Sequence, residues 1–278
     1  MTIPYACDTH FHVFGPADRY PYAGKLRYDP PQADLEDYLA EARALGFSRY
    51  VFVQPSAYGQ DNRCMLEAMR RMGPDCRGIV DLPDDVPDEQ LADLHQLGVR
   101  GIRINVNPIA QPAAGLADTL IPRIRRWEAR CAATGWQLDF LGPGWLTREL
   151  LPTMASLRLP FTVAHLGMNL AADGVQAPGF QALLDFLRHG DGLCFVKLTG
   201  SYRISKTPGF GDIAPMVHAL LEAAPDHLIW GSDYPHLSFQ ENSSADLFRL
   251  FTSWIPDAAL QRQILATTPA RLYGWETD

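Results

Sequence analysis

The sequence predicts an α/β fold built as a single (β/α)8 TIM barrel, and three observations predict it. Short apolar runs alternate with helical patterns along the whole of the 278 residues. The alternation repeats eight times, and a barrel of eight such cycles has a usual length of about 250 residues. Titratable side chains recur at the C-terminal ends of the apolar runs, the face where such barrels carry their active sites. No composition break, polar linker or internal repeat marks a boundary, so residues 1–278 are expected to form one domain. A doubly wound open sheet is the runner-up. It usually has a glycine-rich first turn, and here that turn reads Val13-Phe14-Gly15-Pro16.

Strands are expected over Tyr5–Phe14, Arg49–Gln54, Arg77–Leu82, Val99–Asn105, Trp136–Leu141, Phe161–His165, Leu193–Thr199 and Leu228–Asp233. Most are rich in Val, Ile, Leu and Phe, as strands buried on both faces should be. In Asp34–Leu45 the residues Leu35, Tyr38, Leu39, Ala42 and Leu45 repeat at helical spacing, and Gly46 stands where a C-terminal cap belongs. In Asp88–Leu97, Asp88 is the expected N-cap, Leu91, Leu94 and Leu97 form the stripe, and Gly98 ends it. Gly179–Arg188 repeats the pattern with Phe180, Leu183, Leu184 and Leu187. Weaker helical patterns cover Leu116–Ala133, Thr147–Leu157, Asp212–Ala223 and Ser244–Trp254, and Asp257–Tyr273 closes the chain.

Composition removes several classes of function. With 47% hydrophobic and 20% charged residues and a mean hydropathy of −0.12, the chain is neither disordered nor membrane-embedded. No apolar run reaches the roughly 18 residues of a membrane span. The start, Met1-Thr2-Ile3-Pro4-Tyr5, has no basic segment followed by an apolar one, so a cytoplasmic location is the default expectation. A net charge of −8 without a basic stripe argues against nucleic acid as a partner. An anionic small molecule would need local arginines. Cys7, Cys64, Cys76, Cys131 and Cys194 are odd in number and scattered, which favours buried reduced thiols over disulfides or a zinc ribbon.

Polar residues at the strand ends carry the functional argument. His10 and His12 lie two apart on the first strand, so both imidazoles can face the same way. Gln54 and Ser56 follow strand two, Arg103 and Asn105 end strand four, and Asp139 lies on strand five. His165 ends strand six, Lys197 and Thr199 lie on strand seven, and Asp233 ends strand eight. Taken alone, a His-x-His is more often a structural pair; with His165 and Asp233 expected at the same rim, a reactive site is the better reading. A carboxylate at such a strand end suits general-base work on a water. Arg103 interrupts an apolar strand and could clamp a carboxylate, whereas Arg203 falls in a loop. Nucleophile-elbow, phosphate-loop, dinucleotide and His-Glu-x-x-His motifs are all missing.

These residues resemble those of the amidohydrolase superfamily, and more narrowly the branch of 2-pyrone-4,6-dicarboxylate lactonase and related lactone hydrolases. The likeness runs through Asp8-Thr9-His10-Phe11-His12, Val53-Gln54-Pro55-Ser56, Gly101-Ile102-Arg103-Ile104-Asn105, Ala164-His165-Leu166-Gly167, Trp230–His236 and Thr268–Tyr273. The resemblance implies catalytic roles for His10, His12, His165 and Asp233, and substrate contacts from Tyr28, Ser56, Arg103 and Arg203. Three positions depart from the branch: Ile109 where a further arginine is expected, Ser238 where an asparagine is, and Asp139 where an aromatic is. One fewer cation and one more carboxylate should disfavour a dicarboxylate and favour a monocarboxylate or sugar-acid lactone.

The resemblance also bears on metal. Binuclear relatives add a carboxylated lysine or glutamate on strand four and a histidine on strand five, where Arg103 or Asn105 and Asp139 stand here. No cofactor is expected, because the pyrone-lactonase branch works without metal. The alternative is a single Zn2+ on His10, His12, His165 and Asp233, which would make the chain a zinc-dependent decarboxylase or hydrolase. The expected reaction is hydrolysis of a small anionic lactone. Asp233 would activate water, and the three histidines would donate to the developing oxyanion. A catalytically silent binding barrel is the reading of another class. It is disfavoured because all four rim residues are present.

Overall fold

The computed structural model describes residues 3–108 and 110–276. Ile109, one of the three departures noted above, lies outside the described residues. Eight strands follow one another as β1 (Cys7–Phe11), β2 (Arg49–Val53), β3 (Cys76–Val80), β4 (Val99–Asn105), β5 (Gln137–Leu141), β6 (Phe161–Val163), β7 (Cys194–Leu198) and β8 (Leu228–Trp230). They stand in one sheet in chain order, β1 to β8, with helices in the connections. This is the expected (β/α)8 barrel topology. Most strands are shorter than the apolar runs suggested, because pairing stops where the chain turns. His165 and Asp233 therefore lie in the loops just beyond β6 and β8. The chain groups into two compact units, one of residues up to 103 and from 230 onward, the other of residues 104–229.

In the first unit, β1 to β4 pair in parallel, neighbour to neighbour. All five residues of β1 are buried, as burial on both faces requires. Its register against β2 shifts between Asp8 and Phe11. Phe11 also bridges in parallel to Tyr234, just past β8. Helix α1 (Leu35–Ala44) starts at Asp34, whose side chain accepts from the Asp37 amide at 3.0 Å. Its buried Tyr38 stacks on Phe11 with ring centroids 3.6 Å apart.

Helix α2 (Arg63–Met72) was not anticipated from the sequence. Its buried face is Cys64, Met65, Ala68 and Met69, small or flexible side chains that make no leucine-type stripe. Helix α3 (Asp88–Gln96) begins one residue earlier than expected. Pro87 takes the cap position, and Asp88 serves as first-turn acid rather than N-cap. The final stretch is three segments instead of one helix: α10 (Ala258–Arg262), a π-turn at Gln263–Thr267 and α11 (Thr268–Tyr273), preceded by α9 (Ser244–Trp254). Trp275 closes against the base of β2 and β3, with the Arg77 guanidinium 4.5 Å from its ring centroid and its indole N–H donating to Pro74 O at 3.1 Å.

In the second unit, β5 to β7 pair in parallel. They are flanked by α4 (Leu116–Thr134), α5 (Gly144–Met154), α6 (Pro178–His189), α7 (Ser201–Ile204) and α8 (Ala214–Ala223). The short α7 replaces the first part of an expected loop. Among the buried side chains of these strands are two full charges. Lys197 on β7 pairs with Asp139 on β5, and the Thr162 hydroxyl of β6 donates to Asp139 Oδ2 at 2.7 Å. Both charged side chains are fully buried.

All five cysteines are buried free thiols. Among the described residues no helix is long and apolar enough to cross a membrane.

Breaking a buried ion pair strands one charge, whereas replacing both partners removes the desolvation cost with the attraction. Asp139→Ala is therefore expected to lose about 3–5 kcal/mol of stability. The double replacement Asp139→Leu with Lys197→Met should recover most of that loss. Urea unfolding of the three proteins checks both; equal stability of the single and double variants would show that the pair is not coupled.

Candidate active site

Strand β1 and the segments just past β1 and β8 bring His10, His12 and Asp233 together. His10 Nε2 and His12 Nε2 each lie 3.6 Å from Asp233 Oδ1, and all three side chains are buried. The two imidazoles meet edge to face, with centroids 5.0 Å apart. The backbone enforces this closeness. Asp233 N donates to His10 O at 2.8 Å, and His12 N donates to Tyr234 O at 2.9 Å. Asp233 itself sits at φ +59, a left-handed conformation that costs a non-glycine residue free energy and so needs support from its surroundings. Gly231 lies so close beneath His10 that a Cβ there would come within 2.6 Å of the His10 amide nitrogen. Only glycine fits.

His12 has a defined proton position. Its Nδ1 lies 2.7 Å from Val53 O, and a carbonyl can only accept, so Nδ1 carries the hydrogen. Burial pushes the His12 pKa down, and the Arg103 charge lowers it further, against the opposing pull of Asp233. The ring is therefore neutral near pH 7, and its Nε2 presents a lone pair beside Asp233. This departs from the expectation that all three histidines donate: neutral His12 can accept a proton or a hydrogen bond at Nε2, but has none to give there.

Arg103 is buried on β4, and its guanidinium donates through Nη1 to the backbone oxygen of Gln54. Gln54 in turn donates its side-chain amide to Gly59 O at 3.0 Å and Asp61 O at 2.9 Å, which shapes the loop that carries Ser56. Ser56 Oγ and Tyr28 Oη are 3.2 Å apart, and Tyr28 Oη accepts from the Ala57 amide at 3.2 Å. The first unit thus gathers six of the eight expected site residues: His10, His12, Asp233 and Arg103 in its interior, with Tyr28 and Ser56 joined to each other on the neighbouring loops.

The second unit holds the other two. His165 Nδ1 lies 2.6 Å from Thr199 Oγ1, and that hydroxyl also accepts from the His165 amide at 3.3 Å. His165, Leu166 and Met168 all have positive φ, so the chain turns sharply after β6. A Cβ on Gly200 would come within 2.6 Å of His165 Nδ1 and 3.1 Å of Arg203 Cδ, which places the Arg203 stem beside His165. One expectation changes here. Asp139 was expected as an extra pocket carboxylate, yet its charge is met by Lys197 inside the strands. Ser238 is exposed.

The sequence motif assigns Asp8 no role. Its Oδ1 accepts from the His10 amide at 3.1 Å and the Ser232 amide at 3.0 Å, and its Oδ2 from the Tyr38 hydroxyl at 3.0 Å. Burial outweighs these hydrogen bonds and raises its pKa to about 6. The available sequence signal was its place two residues before His10.

Two imidazoles, from His10 on β1 and His12 just past it, thus face the carboxylate of Asp233 just past β8 on a (β/α)8 scaffold. The amidohydrolase family pattern matches residues 7–275, and the chain belongs to that family. It is 38% identical to a 4-sulfomuconolactone hydrolase of Rhizobium radiobacter, over 97% of this chain and 90% of that protein. It is 30% identical to a 2-pyrone-4,6-dicarboxylate hydrolase of Comamonas testosteroni, over 96% and 90%. A Pseudomonas putida structure provisionally assigned as a 2-pyrone-4,6-dicarboxylic acid hydrolase superposes with a TM-score of 0.87 at 31% identity, covering 100% of both chains.

The His12 assignment can be checked directly. Nitrogen-15 NMR of the imidazoles should show His12 neutral at pH 7 with its proton on Nδ1, titrating below the ordinary value of about 6.5. A protonated ring at pH 7, or a proton on Nε2, would contradict it.

Proposed function

We propose that the chain hydrolyses a small carboxylated lactone. The observation that carries this reading is the Asp233 carboxylate flanked at 3.6 Å by two imidazole nitrogens, with the buried cation Arg103 acting electrostatically on one of them. Two relatives named for hydrolysis of acidic lactones support the choice of substrate class. The sequence resemblance alone gives His165 and Arg203 their roles in this proposal.

In this mechanism Asp233 takes a proton from water as the water oxygen attacks the lactone carbonyl. The acyl C–O bond then breaks, and the ring oxygen leaves with the proton that Asp233 took from water, which returns the carboxylate to its ionised form. His12, with a lone pair at Nε2, accepts a hydrogen bond from that water and so helps to orient it. His10 and His165 are left to donate to the oxyanion. Arg103 and Arg203, with Tyr28 and Ser56, hold the substrate's acidic group and so reduce the entropic cost of attack. The higher identity to the 4-sulfomuconolactone hydrolase, 38% against 30% for the pyrone-dicarboxylate hydrolase, leads us to place a sulfonated lactone ahead of the pyrone dicarboxylate.

A metal is compatible with the same residues. Ligands on a tetrahedral Zn2+ at about 2.1 Å stand roughly 3.4 Å apart, close to the 3.6 Å between each imidazole nitrogen and Asp233 Oδ1. His10, His12, His165 and Asp233 would hold the ion, and the Nδ1–H of His12 on Val53 O is the type of contact that orients metal-bound imidazoles. Bound zinc would supply Lewis acidity and a water that ionises near neutral pH. The Arg103 charge opposes a dication, and on that ground we propose a metal-free reaction.

Hydrolysis of 4-sulfomuconolactone and 2-pyrone-4,6-dicarboxylate by chelator-treated protein is the primary test. Turnover of either supports the metal-free reading, and turnover restored only by Zn2+ overturns it. No turnover of either, with or without Zn2+, overturns the choice of substrate. Asp233→Asn is expected to lower kcat by about 10²–10⁴-fold. Arg103→Ala should raise KM more than it lowers kcat, and an unchanged KM would remove Arg103 from substrate binding.

A further inference from the structure

We propose that Asp8 is a positioning residue: held by Tyr38, its carboxylate grips the backbones of β1 and of the loop after β8 and so sets the separation between His10 and Asp233. A single oxygen, Oδ1, accepts from the His10 amide and from the Ser232 amide. One of these belongs to a candidate site residue, and the other is one peptide before Asp233. The second oxygen is turned toward α1 by the Tyr38 hydroxyl, while the Tyr38 ring stacks on Phe11 between the two histidines. Tyr38 therefore fixes both the carboxylate and the strand segment that carries the imidazoles.

The geometry around this grip indicates why one is needed. The register of β1 against β2 breaks between Asp8 and Phe11, so regular pairing does not hold His10 in place. On the other side the regular part of β8 ends at Trp230, and the chain turns left-handed at Asp233. The contacts that tie the two segments are few and specific. Thr9 Oγ1 donates to Trp230 O at 2.8 Å, Asp233 N to His10 O at 2.8 Å, His12 N to Tyr234 O at 2.9 Å, and Asp8 makes its two amide contacts. Gly231 lets the backbones approach closely enough for these bonds to form. A buried carboxylate is a costly tie, and it is offset here by three donors converging on its two oxygens.

Asp8 touches neither substrate nor reacting atoms in this arrangement. Its removal should misplace the base and an imidazole while leaving the arginine and hydroxyl contacts to substrate intact. A displacement on the order of 1 Å at reacting groups can cost about 100-fold in rate.

The kinetic part of the test rests on the lactone-hydrolase reading; the structural part does not. Asp8→Ala is expected to lower kcat by about 10–100-fold with KM within about threefold of wild type. Its crystal structure should show the His10 Nε2–Asp233 Oδ1 separation lengthened beyond 3.6 Å. Asp8→Asn keeps an acceptor for both amides and should restore most of kcat. Tyr38→Phe, which keeps the ring on Phe11, should reduce kcat in the same direction by a smaller factor, and it replaces Asp8→Ala if that variant does not fold. Wild-type kcat together with an unmoved separation in the folded variant overturns the proposal. If the wild type turns over no lactone, the substrate reading fails and the crystallographic separation alone decides the role of Asp8.

Discussion

Charge placed among strands buried on both faces must be answered by another group, and the interior chemistry of this chain follows from that constraint. Water cannot solvate a side chain there, so each ionisable residue needs a partner of the right sign and geometry. The structure meets the requirement in three ways. Asp139 is neutralised by Lys197 and a threonine hydroxyl. Asp8 is surrounded by two amides and a phenol. Asp233 faces two imidazole nitrogens and is held on a left-handed residue tied to the first strand. The first two arrangements use up the charge in holding the fold, and the third leaves a carboxylate beside a nitrogen lone pair.

The decisive detail at His12 is a backbone carbonyl. Val53 O cannot donate, so it forces the imidazole proton onto Nδ1 and turns the Nε2 lone pair toward Asp233. The same contact would prepare the ring to bind a metal ion or to accept a hydrogen bond from water. The Arg103 guanidinium acting on His12 favours the neutral ring. Its anchoring to Gln54 O makes the cation part of the strand framework rather than a mobile surface group.

Much of this was legible in the sequence. Eight apolar runs with helical patterns between them reported the (β/α)8 order, because buried parallel strands need continuous apolar sequence. His10, His12, Arg103, His165 and Asp233 stood out because a titratable group at the end of an apolar strand needs a reason to be there. Helix α2 was not legible: its packed face is built of cysteine, methionine and alanine between arginines, and the pattern lacks the leucines that usually announce a stripe. The strand ends were overestimated at β6 and β8, because apolar composition continues into the tight turns that carry His165 and Asp233.

Residue type and spacing alone therefore determined the fold class, the strand order and the side chains able to do chemistry, since hydrophobic periodicity and strand parity are properties of the chain itself. Only the tertiary structure decided what each polar group does. Asp139 and Asp233 read alike in sequence, as carboxylates at strand positions, yet one is neutralised by a lysine two strands away and the other faces a lone pair. The proton on His12 and the grip of Asp8 likewise depend on partners 41 and 224 residues distant along the chain. Protonation and hydrogen bonding respond to neighbours in space, and a local pattern carries no record of them.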